Sequence, residues 1–233
     1  SGKVKKIENY NLTGSLNGLT KEFFESDKVS LNSVYNNGKK SGLWTKYNEN
    51  GGIIYNGKYE ENVKDGEWIF NENNIIQEKL IFNKGKTNGL CMFYHDNGKL
   101  KSKKFFNDNL QNGEELNYYS NSIMSSSGSY SNNNREGHFK FYAKQGALAE
   151  EGPYKKDSRS GEFTEYYPDG KTVRAKGPYT FGKKSGLWDY YLKDGKLEMQ
   201  LPWKGMTMRG KCIFYKNGLK DFDSFIKEVK VFL

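Results

Sequence analysis

Two cysteines, two histidines and no long apolar run are scarcities that each remove a class of protein from consideration. No stretch approaches the roughly 20 apolar residues of a membrane-spanning helix, and no secretory hydrophobic region is recognisable. The chain opens abruptly at Ser1-Gly2-Lys3, so its compartment stays open; an envelope or secreted location is favoured if a leader preceded Ser1. His95 and His138 stand apart, without a cysteine pair or second histidine nearby, so no metal site is expected. A P-loop, a dinucleotide fingerprint and a nucleophile elbow are all missing. The expectation is a protein that is not an enzyme, with no catalytic residues and no cofactor. Acidic pairs such as Glu60-Glu61, Glu114-Glu115 and Glu150-Glu151 resemble a glycosidase dyad only in composition, and read as solvated strand or turn charges.

Hydrophobic residues are also in short supply, at 35%, and the mean hydropathy of −0.91 is low for a compact two-layer core. Aromatics are not: they reach 15%, including 17 Tyr and 15 Phe. Disordered chains lack aromatics, so this polar chain folds, as a thin layer with an aromatic buried side.

The dominant feature is a ninefold beat of glycine, at Gly18, Gly42, Gly66, Gly89, Gly113, Gly137, Gly161, Gly186 and Gly210, with spacings of 24, 24, 23, 24, 24, 24, 25 and 24. A bulky residue follows at the second position after the glycine in most units, and an aromatic at the fifth. Such a period marks an array whose units cannot bury a face alone and are stabilised by their neighbours. Cys91 and Cys212 occupy the second position, where Trp44, Trp68 and Trp188 stand in other units. They read as core substitutes, roughly 50 Å apart and beyond disulfide reach.

Within each unit an aromatic-rich run precedes a turn pair such as Asn50-Gly51, Asn97-Gly98, Asp169-Gly170 or Asp194-Gly195, and a second run follows. These are hairpins with turns that tolerate positive φ. Second turns such as Asn37-Gly38, Lys84-Gly85 and Phe181-Gly182 link the units into a meander. A two-residue hairpin turn sets Gly42 opposite Tyr59 and Trp44 opposite Gly57, an aromatic covering a strand glycine. Val29, Ile53, Leu100, Met124, Leu148 and Leu197 join that buried or concave face in the same register. The aromatics five after each glycine, Phe23, Tyr47, Tyr94, Tyr118, Tyr142, Tyr166, Tyr191 and Tyr215, have opposite parity and are the candidate binding-face residues. The competing reading packs each of them between strands over lysine stems.

The fold expected is therefore all-β: an elongated single-layer antiparallel meander of about nine stacked β-hairpins, twisted or curled, spanning residues 1–218. Its roughly 18 strands would extend on the order of 80 Å. Residues 219–233 break the pattern. Phe222, Phe225, Ile226 and Val229 follow helical spacing after Asp221, which predicts a short C-terminal cap helix, with a further strand as the competing reading.

Units such as Ser41-Gly-Leu-Trp-Thr-Lys-Tyr-Asn-Glu-Asn-Gly51 and Ser185-Gly-Leu-Trp-Asp-Tyr-Tyr-Leu-Lys-Asp-Gly195 resemble bacterial variant MORN repeats, the pattern of YwqK-type antitoxin-like proteins. The resemblance runs from about Tyr10 to Gly218. It implies a single-layer sheet of stacked hairpins used as a non-catalytic scaffold that binds another protein. Two alternatives stand beside it. One is a cell-envelope array binding wall carbohydrate, suggested by Trp188-Asp-Tyr-Tyr and Phe163-Thr-Glu-Tyr-Tyr. The other is a peripheral binder of anionic membrane, suggested by the net charge of +9. Lysines concentrated in turns read first as solvation of a long sheet. Nucleic acid is disfavoured because no arginine-rich run or binding motif is present. A homodimer through the end strands is a further expectation.

Overall fold

The computed structural model describes residues 3–216 and 219–230, with side chains described as far as residue 222. It divides into two compact units, Ser1–Asn112 and Gly113–Leu233. Among the described residues every regular element is a β-strand, and the strands pair antiparallel with strands consecutive along the chain or separated by a two-residue strand. The meander of hairpins expected from the glycine beat is the architecture observed.

Hairpin registers agree with the sequence reading at the glycine end. Gly42 faces Tyr59 and Trp44 faces Gly57; Gly137 faces Tyr154 and Phe139 faces Gly152. The turns differ. Asn48 N–H donates to the Gly52 carbonyl, which leaves a three-residue loop of Glu49, Asn50 and Gly51. Only Gly51 among these has positive φ. This is the three-residue hairpin whose glycine adopts the left-handed conformation next to a bulge. The two-residue turn with positive φ at both positions is used instead in the links between hairpins, as at Asn37-Gly38, Glu61-Asn62 and Lys156-Asp157.

The bulge has a consequence for side-chain direction. Tyr47 pairs with Ile53 after a register shift, as Tyr94 pairs with Leu100 and Tyr142 with Leu148. One extra residue reverses the alternation. Val29, Ile53, Leu100, Met124, Leu148 and Leu197 therefore share the face of the tyrosines, not of the tryptophans as the unbulged register predicts.

The irregular repeat spacings have a simple origin. Where the beat shortens to 23, after Gly66, Glu72 pairs with Ile75 around a two-residue loop, Asn73-Asn74. Where it lengthens to 25, after Gly161, Tyr167 N–H reaches the Thr172 carbonyl around a four-residue loop. The hairpin tip absorbs each change, so the strand register beneath it is preserved.

The two kinds of glycine do different work. All nine beat glycines have positive φ, from 63° to 128°. At Gly66, Gly89 and Gly137 a Cβ would meet nothing within 4 Å, so backbone conformation alone selects glycine there. A second set, Gly57, Gly128, Gly152 and Gly177, makes room. A Cβ at these positions would lie 2.2 to 2.5 Å from the rings of Trp68, Phe139, Phe163 and Trp188. In each case the covering ring comes from the following hairpin.

The buried stripe is the second position after each beat glycine: Thr20, Trp44, Trp68 and Cys91 in the first unit, and Glu115, Phe139, Phe163, Trp188 and Cys212 in the second. Late aromatics paired with the beat glycines stand between these side chains. In the second unit Tyr130, Phe139, Tyr154, Phe163, Tyr179 and Trp188 form a continuous edge-to-face chain, with centroids 4.9 to 5.8 Å apart. Such contacts stabilise by about 0.5–1.5 kcal/mol each beyond area burial. Trp44, Trp68 and Trp188 donate Nε1–H to the carbonyl ten residues upstream, at 2.9 to 3.0 Å. Cys91 in the same slot bonds the Ile81 backbone, also ten residues upstream, and that bond opposes the upward push of burial on its thiol. Both cysteines are free and buried, and burial pushes both thiols up.

The C-terminal helix is not formed. Leu219–Lys230 is a strand, antiparallel to Thr207–Lys216, and the Phe222 ring stacks on Phe214 at 4.5 Å. A lone helix of about a dozen residues is marginal in water. The strand instead satisfies the outer edge of Thr207–Lys216, and Phe, Ile and Val suit a strand.

Gly177→Ala should lower unfolding stability by about 1–3 kcal/mol through overpacking against Trp188. Gly137→Ala should lose about 1–2 kcal/mol through left-handed strain alone. Denaturant melts of the double variant Gly177→Ala/Trp188→Ala test the cause. If removing the ring leaves the penalty at Gly177 undiminished, the seating of the ring on glycine is wrong.

Candidate functional site

The two faces of the sheet are chemically unlike. On the tryptophan face, the residue two before the beat glycine is repeatedly a cation: Lys40 and Lys64 in the first unit, Arg135, Arg159 and Lys184 in the second. Each lies over the rings of its own hairpin. Lys40 Nζ is 4.7 Å from the Trp44 ring and 5.0 Å from Tyr59, and Lys64 Nζ is 4.4 Å from Trp68. The Arg159 guanidinium is 5.1 Å from both Phe163 and Tyr179, and Lys184 Nζ is 3.7 Å from Trp188. Partly desolvated contacts of this kind are worth about 0.5–2 kcal/mol.

Backbone bonds from the neighbouring turn hold these cations in place. Lys40 N–H donates to Asn62 Oδ1 at 2.7 Å, while Asn62 N–H returns a bond to the Lys40 carbonyl at 3.0 Å. Arg135 and Asp157 repeat the arrangement in the second unit, at 2.8 and 3.2 Å. Lysines that the sequence suggested were turn solvation thus include two, Lys40 and Lys184, that roof the aromatic stripe.

Charge on this face is largely compensated in the second unit. Arg159 Nη2 lies 2.8 Å from Glu150 Oε1, an ion pair whose geometry falls short of an aligned hydrogen bond. Burial pushes the Glu150 carboxyl up, and Arg159 pulls it back only in part. Burial opposes the Arg159 charge, but Tyr154 and Glu150 leave its pKa above the ordinary value. Lys184 pairs with Glu165 at 3.2 Å. Glu115, read from sequence as solvated, is 6% exposed and takes a slot that other units fill with a ring. In the first unit burial pushes the Lys64 ammonium down, with Glu78 opposing.

The opposite face carries the eight predicted residues. Phe23, Tyr47 and Tyr94 lie in the first unit, with Asn71 interrupting the row; Tyr118, Tyr142, Tyr166, Tyr191 and Tyr215 form an uninterrupted row in the second. All eight are half-buried. Several hydroxyls are tethered to the preceding hairpin at a constant separation of fifteen residues. Tyr47 Oη accepts from Asn32 Nδ2 at 3.3 Å, Tyr166 donates to Glu151 at 2.5 Å, and Tyr215 donates to Gln200 at 2.8 Å. Tyr191 bonds Asp189 at 3.3 Å. Burial, then the bond to Glu151, pushes Tyr166 up to about 12. Glu151 is held below the ordinary carboxylate range, first by Tyr166 and then by His138, whose Nε2 is 3.0 Å away. Exposed leucines flank the rows: Leu19 and Leu43 in the first unit, Leu187 in the second. The tethers went unnoticed in the sequence, although the fifteen-residue spacing of tyrosine from Asn, Glu or Gln was there to be read.

Fold and stripe together define a β-hairpin repeat protein. The sequence profile of the family described as "MORN repeat variant" matches three segments, residues 87–108, 135–156 and 159–176. Each match begins two residues before a beat glycine, at the slot that Arg135 and Arg159 fill with the roofing cation. Comparison with curated proteins found no match. Among solved structures, 90% of this chain aligns with 14% of a chain in "Crystal Structure of TcdB2-TccC3-Cdc42", at 9% identity and a TM-score of 0.21. A Photorhabdus luminescens Tc holotoxin pore aligns over 90% of this chain and 13% of its own, at 11% identity and a TM-score of 0.17. The chain thus spans about a seventh of those chains, and scores this low carry no argument about fold or function.

The Tyr166–Glu151 tether makes a pH prediction. A carboxylate with a depressed folded pKa stabilises the fold above its unfolded value, near pH 4.3, and that contribution is lost as pH falls through the folded value. In Tyr166→Phe the Glu151 titration, followed by NMR, should move up toward the ordinary carboxylate range. An unmoved midpoint would show that the hydroxyl does not set it.

Proposed function

We propose that this chain is a non-catalytic scaffold of the bacterial variant-MORN kind that binds another protein through its tyrosine face. The observation that carries the reading is the contrast between the faces. Rings on the tryptophan face are packed on one another and roofed by cations, whereas the opposite face presents one half-buried aromatic per hairpin in most hairpins, with leucines exposed beside it. Tyrosine is well suited to such a surface, since it offers large contact area at low entropic cost and a polar tip. Tethered hydroxyls hold the rings in fixed orientation, so less freedom is lost on association. Matches to MORN-variant repeats support a repeat scaffold. A homodimer through the end strands belongs to the same proposal.

A photo-cross-linking residue placed at Tyr142 or Tyr191, in extract of the source cell, should yield one recurrent protein adduct. The same probe at Phe82, on the tryptophan face and against Trp68, should yield none. Adducts from Phe82 alone would overturn the choice of face. Saturable binding to a wall glycan or to anionic vesicles, with no protein adduct at either position, would replace the reading with one of its alternatives.

A further inference from the structure

Most link turns of the array share one chemistry. Their first central residue is Asn37, Glu61, Lys84, Asp108, Asn132 or Lys156, all polar, but in the turn Phe181-Gly182 it is a phenylalanine, and the link after it is Gly205-Met206. Phe181 is 88% exposed and has φ +48°, a left-handed conformation that bulky side chains rarely adopt. Nothing in the fold repays either feature. The turn is nevertheless held firmly: Gly182 N–H donates to the Arg159 carbonyl at 3.0 Å, and the Thr180 and Ser185 hydroxyls share a 2.8 Å bond beneath it. An exposed, strained aromatic on a fixed turn points outward to a ligand.

Phe181 separates two grooves. One, of about 800 Å³, is floored by Gly186, Pro202 and Trp203; the other, of about 640 Å³, by Gly161, Pro178 and Tyr179. Lys183, Lys204 and Arg209 rim the first, and Lys155 and Lys156 the second, with no acidic side chain lining either. Of the nearby acids, Asp157 is bonded to the Arg135 amide at 2.8 Å and Glu136 to the Lys156 amide at 3.1 Å, while Glu162 pairs across from Pro178 without lining the groove. None of the five rim cations has an ion pair among the described residues.

We infer that this edge of the second unit is a docking site for an acidic, extended protein segment with two apolar side chains, one in each groove, straddling Phe181. Adjacent grooves repeat every two strands, about 10 Å, which is three residues of extended chain. The apolar residues are therefore three positions apart, with acidic residues between and around them facing the lysine rim. Two concavities with apolar floors favour a segment with discrete side chains over the flat surface of a bilayer. This site lies on the turn edge and is independent of the tyrosine face proposed above.

The probe is a fluorescein-labelled decapeptide with two leucines three residues apart and Asp or Glu at the other positions, titrated with the full chain and read by anisotropy. Saturable, salt-sensitive binding is expected, weakened at least tenfold when the leucines are made adjacent or the acids become amides. Phe181→Asn restores the residue type of the other turns, so its Tm should equal or exceed that of the parent while peptide affinity falls at least tenfold. Lys183→Gln with Lys204→Gln should weaken binding and flatten its salt dependence. No saturable binding by the parent chain, or binding indifferent to both sets of substitutions, would overturn the inference. So would Phe181-dependent binding to phosphatidylserine vesicles without peptide binding, which would assign the turn to a membrane. None of these outcomes bears on cross-linking from Tyr142 or Tyr191.

Discussion

A sheet one layer thick has no second layer to bury its apolar side, and every other feature of this chain follows from how that deficit is met. The solution is a line of rings packed edge to face along the sheet, in which Trp68, Phe139, Phe163 and Trp188 are each lowered onto a glycine of the preceding hairpin. Glycine in a strand is ordinarily a weakness, through entropy and the missing side chain. Here the missing Cβ is the space that the ring occupies. Because each ring touches its neighbours on both sides, a hairpin is stable only within the line, which is the physical meaning of a repeat array.

Cations complete the arrangement. Without a roof the ring line would be an exposed apolar stripe and a hazard for association. Lys40, Lys64, Arg135, Arg159 and Lys184 cover it with alkyl or guanidinium surface while keeping their charge near water. Their positions depend on the link turns, whose amides and side chains clasp the backbone of the same residues. Turn chemistry, cation and ring are thus one device repeated along the chain. The opposite face carries the tethered tyrosines instead.

Much of this was legible before any coordinates. Period, hairpin register and the facing of Trp44 and Gly57 follow from glycine and aromatic spacing alone, because parity in a strand is rigid. What escaped was what parity cannot carry. Asn-Gly suits either a two-residue turn or a three-residue loop, and the choice of the latter inserts a bulge that sends Ile53 and Leu148 to the other face. The beat glycine looked like a seat for a ring, but its φ identifies it as a conformational requirement, and the seat is Gly57 or Gly177. Phe222, Phe225, Ile226 and Val229 satisfy a helical period, yet an unpaired strand edge alongside is a stronger constraint than amphipathicity in so short a segment. The eight candidate aromatics lie on the face opposite the tryptophans, as strand parity requires, whereas Phe181 is ordinary in sequence and conspicuous only through its φ and exposure.

The central claim is that stability passes from hairpin to hairpin through the ring line. Native-state hydrogen exchange on Trp188→Ala tests it most directly. The account predicts that amide protection falls in the two flanking hairpins, residues 161–180 and 207–216, and is retained in the first unit, since coupling runs through nearest neighbours. Protection unchanged in the flanking hairpins, or lost uniformly across the whole chain, would contradict it.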